Sequence, residues 1–298
     1  MSRVFRFALL DAFTDTPFAG NPAGVVFQDG SLTDDEMRRI AGELHLETAF
    51  LSPALDGAYT VAYFTGAQRI PLCGHDTIAA ATALAHTGRL QPPTTVRFLT
   101  DVGPLDVQIS ETGDVTMSQA LPTFGAVVSA DPIADALDLP AAAIRETRLS
   151  PQIVSTGTSF LLVPVGHRRL LNALCPHLTK LGAFLNSLPE AVVGLYAWTR
   201  ETVDSTNAAV HARCFCPTAG LPEDPVTGTA AGALGAYFAH HGLLPRDAQG
   251  VLELTVEQGR AMGRPGTVRV VIRTDADSVT SVQVQGRAVR VAEGTLWA

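Results

Sequence analysis

Three side chains able to handle a proton stand almost side by side in "PLCGHDT": Cys73, His75 and Asp76. A thiol, an imidazole and a carboxylate together offer acid–base or nucleophilic chemistry. A second loop, "CPTAGLPEDPVTGT", carries Glu223, Asp224, Thr227 and Thr229. Each loop runs into a stretch of small residues that reads as a helix. A helix start presents unpaired backbone N–H groups and the positive end of the dipole, which suits an anion. The starts at Gly74 to Asp76 and Gly228 to Thr229 are expected to face one cleft and share a small carboxylate. This is an acid–base inventory without a cofactor motif.

The elements carrying these groups are related. When Gly74 is set on Gly228, an offset of 228 − 74 = 154, Ala79 meets Ala233, Ala85 meets Ala239, His86 meets His240, Gly88 meets Gly242 and Leu90 meets Leu244. Two Ala-rich helices could match by composition, but internal duplication accounts for the common register as well. A terminal glycine closes both helices in the left-handed conformation. Their Ala and Gly content lets neighbours approach on every side, as a helix threaded through a curved sheet requires.

Composition bounds the class. A chain of 298 residues, 46% hydrophobic and 17% charged, has material for two cores. No apolar run reaches the roughly 20 residues of a bilayer span. "MSRVFRFALL" enters a strand pattern without a signal-peptide cleavage site, so a cytoplasmic protein is expected. A net charge of −8 without a basic cluster argues against a nucleic-acid partner. Cys73, Cys175, Cys214 and Cys216 lack a disulfide-framework spacing and are expected as free thiols. The histidines other than His75 show no metal-ligand spacing, and the Cys214-x-Cys216 pair has no companion cluster, so no metal is expected.

Strand and helix signals alternate along the chain. "VFRFALLDAF" and "AGVVF" read as strands about a turn. Thr33 with Glu36 makes a capping-box pattern ahead of a helix over about 34 to 44. "ETAFLS" and "AYTVAYFT" follow as strands, then a helix over 75 to 87, then "TVRFLT", "PLDVQI" and "DVTMSQ". The cycle restarts after a break near 120 to 125, with "STGTSFLLVPV", "AVVGLYAW" and "VHARCF" before the second helix and "VLELTV", "TVRVVI" and "SVQVQ" after it. The expected domains are 1–122, completed by the C-terminal strand 283–298, and 123–282.

"DAFTDTPFAGNPAGVV", "ETAFL", "PLCGHDTIAAA", "STGTSFLLVPV", "EDPVTGTA", "EQGRAMGRPG" and "GRAVRVAEGTL", in this order, resemble the PhzF-like phenazine-biosynthesis isomerase family of the diaminopimelate epimerase-like superfamily. The resemblance implies an α+β fold of two pseudo-symmetric domains, each a curved, mostly antiparallel sheet wrapped around a central helix. It implies an interdomain site, no cofactor, a small-molecule substrate and a homodimer. Carried over by position, the family's acid–base glutamate falls on Glu47, its site histidine on His75, its aspartate on Asp224 and its hydroxyl residue on Thr229. Asn21 of "AGNPAG" matches a loop lining the cleft, and Cys73, Gly74, Asp76 and Gly228 complete the expected substrate-binding set.

Each residue has a plainer reading. Glu47 could be an edge glutamate facing water, although its apolar neighbours suit a carboxyl group whose pKa is raised toward the working pH. Asp224 before Pro225 and Asn21 before Pro22 are common turn starts. His75 at a helix start is expected neutral, because the dipole disfavours an imidazolium there. Racemases of the superfamily use one cysteine from each half. Cys73 has no thiol opposite it in "EDPVTGT", so it reads better as a small buried residue.

Two departures from the family pattern stand out. "HLET" leads into Glu47 one residue short of the usual "NLSET", and Asp76 replaces the alanine of the common "CGHAT". Asp76 would repel an acidic substrate from inside the cleft, so it is expected to turn toward the domain surface or pair with a basic group. The sequence therefore points to a cofactor-independent isomerase moving a proton at carbon on a small, carboxylate-bearing molecule. The alternatives are a cysteine-dependent racemase or epimerase and a non-catalytic ligand-binding member.

Overall fold

The computed structural model describes residues 3–204, 207–276 and 278–298. The chain divides into two compact units, the first running to Ser118 and taking up Gln285–Ala298, the second formed by Gln119–Val284.

In the first unit, strand Val4–Ala12 pairs antiparallel with both Ala288–Trp297 and Asn21–Phe27. Asn21–Phe27 runs parallel to Thr48–Pro53, which is antiparallel to Tyr59–Phe64. Tyr59–Phe64 continues in parallel to Thr94–Thr100, and the hairpin partner Gly103–Ile109 follows. Helix Gly74–His86 lies against strands from both halves of this sheet. Every residue from Gly74 to Leu84 is buried, as befits a helix apolar all round.

The helix Asp34–Leu44 begins with the expected capping box: Glu36 N donates to Thr33 Oγ1 at 3.3 Å, and Thr33 N donates to Glu36 Oε2 at 2.8 Å. It ends at His45, whose φ of 53° turns the chain sharply. That turn delivers Glu47 to the start of strand Thr48–Pro53. Met37 and Ala41 on the helix pack with Phe5, Val26, Phe50 and Phe64 of the sheet.

The second unit repeats the plan around helix Gly228–His240, in which Gly228 and Ala230 through Ala239 are buried. The helix lies against strands Gln152–Ser155, Ser159–Pro164, Val251–Gln258 and Gly266–Asp275. Strands Gly194–Thr199 and Val210–Cys216 join these through antiparallel and parallel pairings. Contact is close enough that a Cβ built on Gly235 would sit 2.6 Å from Val270 Cγ1. Both central helices are closed by left-handed glycines, Gly88 with φ 71° and Gly242 with φ 62°.

Four short helices, Ala130–Leu137, Ala142–Arg145, Arg168–Ala173 and Leu178–Asn186, escape the sequence pattern. They seat Ile133, Leu137, Leu171, Leu181 and Leu185 on Leu161, Val163, Leu195 and Phe215. None exceeds nine residues, too few turns for a 3.6-residue periodicity to stand out. Among the described residues, no helix is long and apolar enough to cross a membrane.

Candidate active site

Cys73 is the N-cap of the first central helix, and its backbone is extended, with φ −132°. Its carbonyl accepts from Thr77 N at 3.0 Å and from Thr77 Oγ1 at 2.7 Å. Thr77 Oγ1 in turn accepts from the buried Tyr63 hydroxyl at 2.7 Å, because its own proton is already committed. The first turn is thus held from two sides before any side chain of the site is considered.

The Cys73 thiol donates to Glu47 Oε2 at 3.1 Å. Its sulfur also lies 3.3 Å from His75 Nδ1 and 3.7 Å from Nε2. His75 Nε2 is 3.5 Å from Glu47 Oε2 and 3.5 Å from Asp76 Oδ1. On the other side of the ring, Asn21 Nδ2 is 3.2 Å from Nδ1. With the amide in this orientation its NH2 donates to Nδ1 of a neutral ring, the arrangement that puts the ring proton on Nε2, facing the two carboxylates.

Glu47 is the accessible member of this group, with its side chain 22% exposed against 11% for His75 and none for Asp76. The Glu47 carbonyl accepts from Gly24 N at 2.9 Å. A Cβ at Gly24 would come within 2.5 Å of Thr48 Oγ1, so glycine is what permits the two strands to close there. Burial pushes the Cys73 thiol well above its usual range, and the Asp76 and Glu47 carboxylates push it further. The thiol is therefore a proton donor held neutral, not a ready thiolate.

Of the two outcomes expected for Asp76, the turn to the surface is excluded: its side chain is fully buried, with Oδ1 3.5 Å from Nε2 of the basic group beside it, His75. The reason is the packing of its helix, which is buried at every position from Gly74 to Leu84. Cys73 is buried as expected, but it also bonds to Glu47. The shortened "HLET" lead does not carry Glu47 away from His75.

In the second unit, Asp224 ends strand Leu221–Asp224. Its Oδ2 accepts from Thr227 Oγ1 at 2.5 Å. Gln258 ties this loop down: its Nε2 donates to the Asp224 carbonyl at 2.8 Å and to Thr227 Oγ1 at 3.0 Å. Its Oε1 accepts from Thr227 N at 3.1 Å and from the buried Tyr196 hydroxyl at 3.0 Å. Gln119 holds the helix start, with Nε2 donating to the Gly228 carbonyl at 3.1 Å and Oε1 accepting from Thr156 Oγ1 at 2.6 Å. Thr229 follows, half-buried. Glu223, from the same loop, is engaged by Arg213 through a bidentate pair at 2.8 Å.

Glu47, Asn21, Cys73, Gly74, His75 and Asp76 are thus assembled within the first unit, and Asp224, Gly228 and Thr229 within the second. The sequence reading missed Tyr63, Gln119 and Gln258. Gln258 lies in the quoted "EQGRAMGRPG" segment, but a glutamine carries no chemical signal until its partners are known. None of the four cysteines is in a disulfide.

The phenazine biosynthesis-like protein family, PhzC-PhzF, matches residues 10–294. An uncharacterized isomerase of Clostridium acetobutylicum is 35% identical over 308 aligned residues, with 99% of both chains covered. The trans-2,3-dihydro-3-hydroxyanthranilate isomerase of Pseudomonas chlororaphis is 29% identical across 98% of this chain and 99% of its own. Among solved structures, the Bacillus anthracis phenazine biosynthesis protein of the PhzF family superposes with a TM-score of 0.88 at 30% identity, covering 99% of each chain. A hydroxyproline epimerase from Agrobacterium vitis shares the fold at a TM-score of 0.65 and 15% identity, over 99% of this chain and 91% of its own. The α+β architecture expected from the sequence is the one these proteins share. The chain belongs to the phenazine biosynthesis-like, PhzC-PhzF, family of isomerases.

Proposed function

We propose that the chain moves a proton between two carbons of a small unsaturated carboxylic acid, with Glu47 as the group that takes and returns it and with no added cofactor. The observation that carries this reading is the position of Glu47: a partly exposed carboxylate whose Oε2 lies 3.1 Å from Cys73 Sγ and 3.5 Å from His75 Nε2. In the reaction a C–H bond of the substrate breaks and its proton goes to Glu47. The electron pair moves along the double-bond system, and the same proton, or its solvent-exchanged equivalent, forms a new C–H bond further along. The donors around Glu47 steady the carboxylate while leaving an oxygen for substrate, and His75 Nε2–H serves the developing negative charge.

The similarity to a trans-2,3-dihydro-3-hydroxyanthranilate isomerase supports a cyclic, carboxylate-bearing substrate of that class. Free thiols throughout suit a reducing cytoplasm. The cysteine-dependent racemase is the weaker reading, because a thiol held neutral by burial and two carboxylates is a poor base.

The test is turnover of trans-2,3-dihydro-3-hydroxyanthranilate in deuterated water, followed by NMR. Glu47→Gln keeps shape and hydrogen bonding but removes the proton carrier, and should lower the rate by about 10²-fold or more with the melting temperature little changed. Near-normal turnover by that variant would remove Glu47 from the mechanism.

A further inference from the structure

We propose that Glu47, Cys73, His75 and Asp76 also form a closed zinc site, and that zinc held there switches proton transfer off. Each residue offers a ligand atom, and the four atoms all lie within 4.8 Å of one another. Cys73 Sγ is 3.1 Å from Glu47 Oε2 and 3.7 Å from His75 Nε2. Nε2 is 3.5 Å from Glu47 Oε2 and 3.5 Å from Asp76 Oδ1. A tetrahedron with metal–ligand bonds of about 2.0–2.3 Å has edges of roughly 3.3–3.7 Å. These four separations already match such a tetrahedron to a few tenths of an ångström, and all the donor atoms lie within 4.8 Å of one another.

The donor set selects the ion. Calcium and magnesium take oxygen ligands and would gain nothing from the sulfur and nitrogen. Zinc accepts sulfur, nitrogen and oxygen together and imposes no geometry of its own beyond what four donors favour. On binding, the Cys73 proton leaves to solvent as the Zn–S bond forms. The proton on His75 Nε2 moves to Nδ1, and rotation of the Asn21 amide presents Oδ1 to accept it, an outer contact that orients a ligating histidine. Glu47, the most exposed of the four, is the ligand that closes over the ion last. Cys73, His75 and Asp76 are preset, because the Cys73 carbonyl is held by Thr77 and the helix beyond it is encased.

With four protein ligands the ion keeps no position for water, which is the mark of a structural rather than a catalytic zinc. Glu47 is then bound to metal and cannot accept a proton. The inhibitory half of this inference rests on the proposed function; the binding half does not. It also departs from the expectation of no metal, which rested on local spacing. Glu47 is 26 residues from Cys73 in sequence, and only the fold brings it in.

The experiment uses the full chain stripped with a chelator and titrated with cobalt chloride, then with zinc chloride. Expected are one cobalt per chain, strong visible absorption of a tetrahedral ion, a near-ultraviolet thiolate-to-cobalt band, and displacement of all three signals by zinc. Cys73→Ser should erase the thiolate band in a chain that circular dichroism shows to be folded. Glu47→Gln should keep that band and weaken zinc binding at least about tenfold. Cys175→Ser and Cys214→Ser should change neither signal, which separates this site from the Cys214–Cys216 pair, whose sulfurs lie 3.5 Å apart. No cobalt binding, or a thiolate band that survives Cys73→Ser or vanishes with Cys214→Ser, would overturn the site. Zinc should abolish turnover and chelator restore it; a chain that binds cobalt as expected but turns over unchanged in zinc would overturn the switch. If the proposed substrate is not turned over at all, the cobalt spectrum still decides the site on its own.

Discussion

The Cys73 thiol donates to Glu47 Oε2 at 3.1 Å, and the two residues reach that contact from different elements, one capping a buried helix and the other opening a strand. A neutral thiol against a carboxylate is a directed hydrogen bond; an ionised thiol in the same place would be a second negative charge. The protonation state of Cys73 therefore decides whether the site holds together.

That dependence sets the alkaline limit of stability. Burial raises the Cys73 thiol, with Asp76 and Glu47 adding to it, and burial beside Cys216 raises Cys214 as well. Unfolded thiols ionise near about pH 8.5. The folded chain keeps these protons to higher pH, so the stability is fully present below about pH 8.5 and is lost as pH rises from there toward the folded values. Urea midpoints should be level at neutral pH and fall above about pH 8.5, with a shallower fall for the Cys73→Ala, Cys214→Ala double variant. A midpoint that does not move with alkaline pH would contradict this account.

Acid should act through His211, a buried residue whose Nδ1 is 2.9 Å from Glu257 Oε1. Its pKa is lowered, burial outweighing the opposing pull of Glu257. A lowered histidine contributes stability above its unfolded pKa, near about 6.5, that is lost as pH falls through the folded value. Replacing it with glutamine should flatten the acid limb of the stability profile; an unchanged limb would assign acid sensitivity to other groups.

Asn21 is expected to act as a positioning residue for His75. Asn21→Asp places an acceptor where a donor now faces Nδ1, and draws the ring proton to that side. Nitrogen-15 chemical shifts of His75 should report the change of protonation, and kcat should drop at least about tenfold with a smaller change in KM. Shifts identical to those of the unaltered chain would show that Asn21 does not set the tautomer.

Gln258 should matter to both stability and turnover. Gln258→Ala strips partners from Tyr196, Thr227 and the Asp224 carbonyl at once. With about 1–3 kcal/mol for each buried group left unsatisfied, a loss of roughly 3 kcal/mol or more is expected. Calorimetry measures the loss directly, and a variant within about 0.5 kcal/mol of the original would mean that water replaces the amide without penalty.

The encasement of the second central helix is open to a direct test at Gly235. A Cβ there meets Val270 Cγ1 at 2.6 Å and Ile272 side-chain atoms at 3.3 Å. Gly235→Leu improves local helix propensity but overpacks the core, with a net loss of about 1–3 kcal/mol expected from denaturant unfolding. A gain in stability would show that the sheet has room to yield.

What the sequence determined by itself is local or repeated. The Thr33–Glu36 capping box, the left-handed Gly88 and Gly242, and the 154-residue register of two small-residue helices follow from short-range chemistry and from duplication, both legible without a fold. Cys73, His75 and Asp76 fall within four residues of the chain, so their common helix start was legible too. Tertiary structure decided the rest. Whether Asp76 faces solvent depends on strands packed around its helix, and those come from both ends of the first unit. Glu47 meets Cys73 across 26 residues, Asn21 meets His75 across 54, and Gln119 meets Gly228 across 109. The register of one strand against the next sets such separations to hydrogen-bonding distance, a relation that no spacing along the chain encodes.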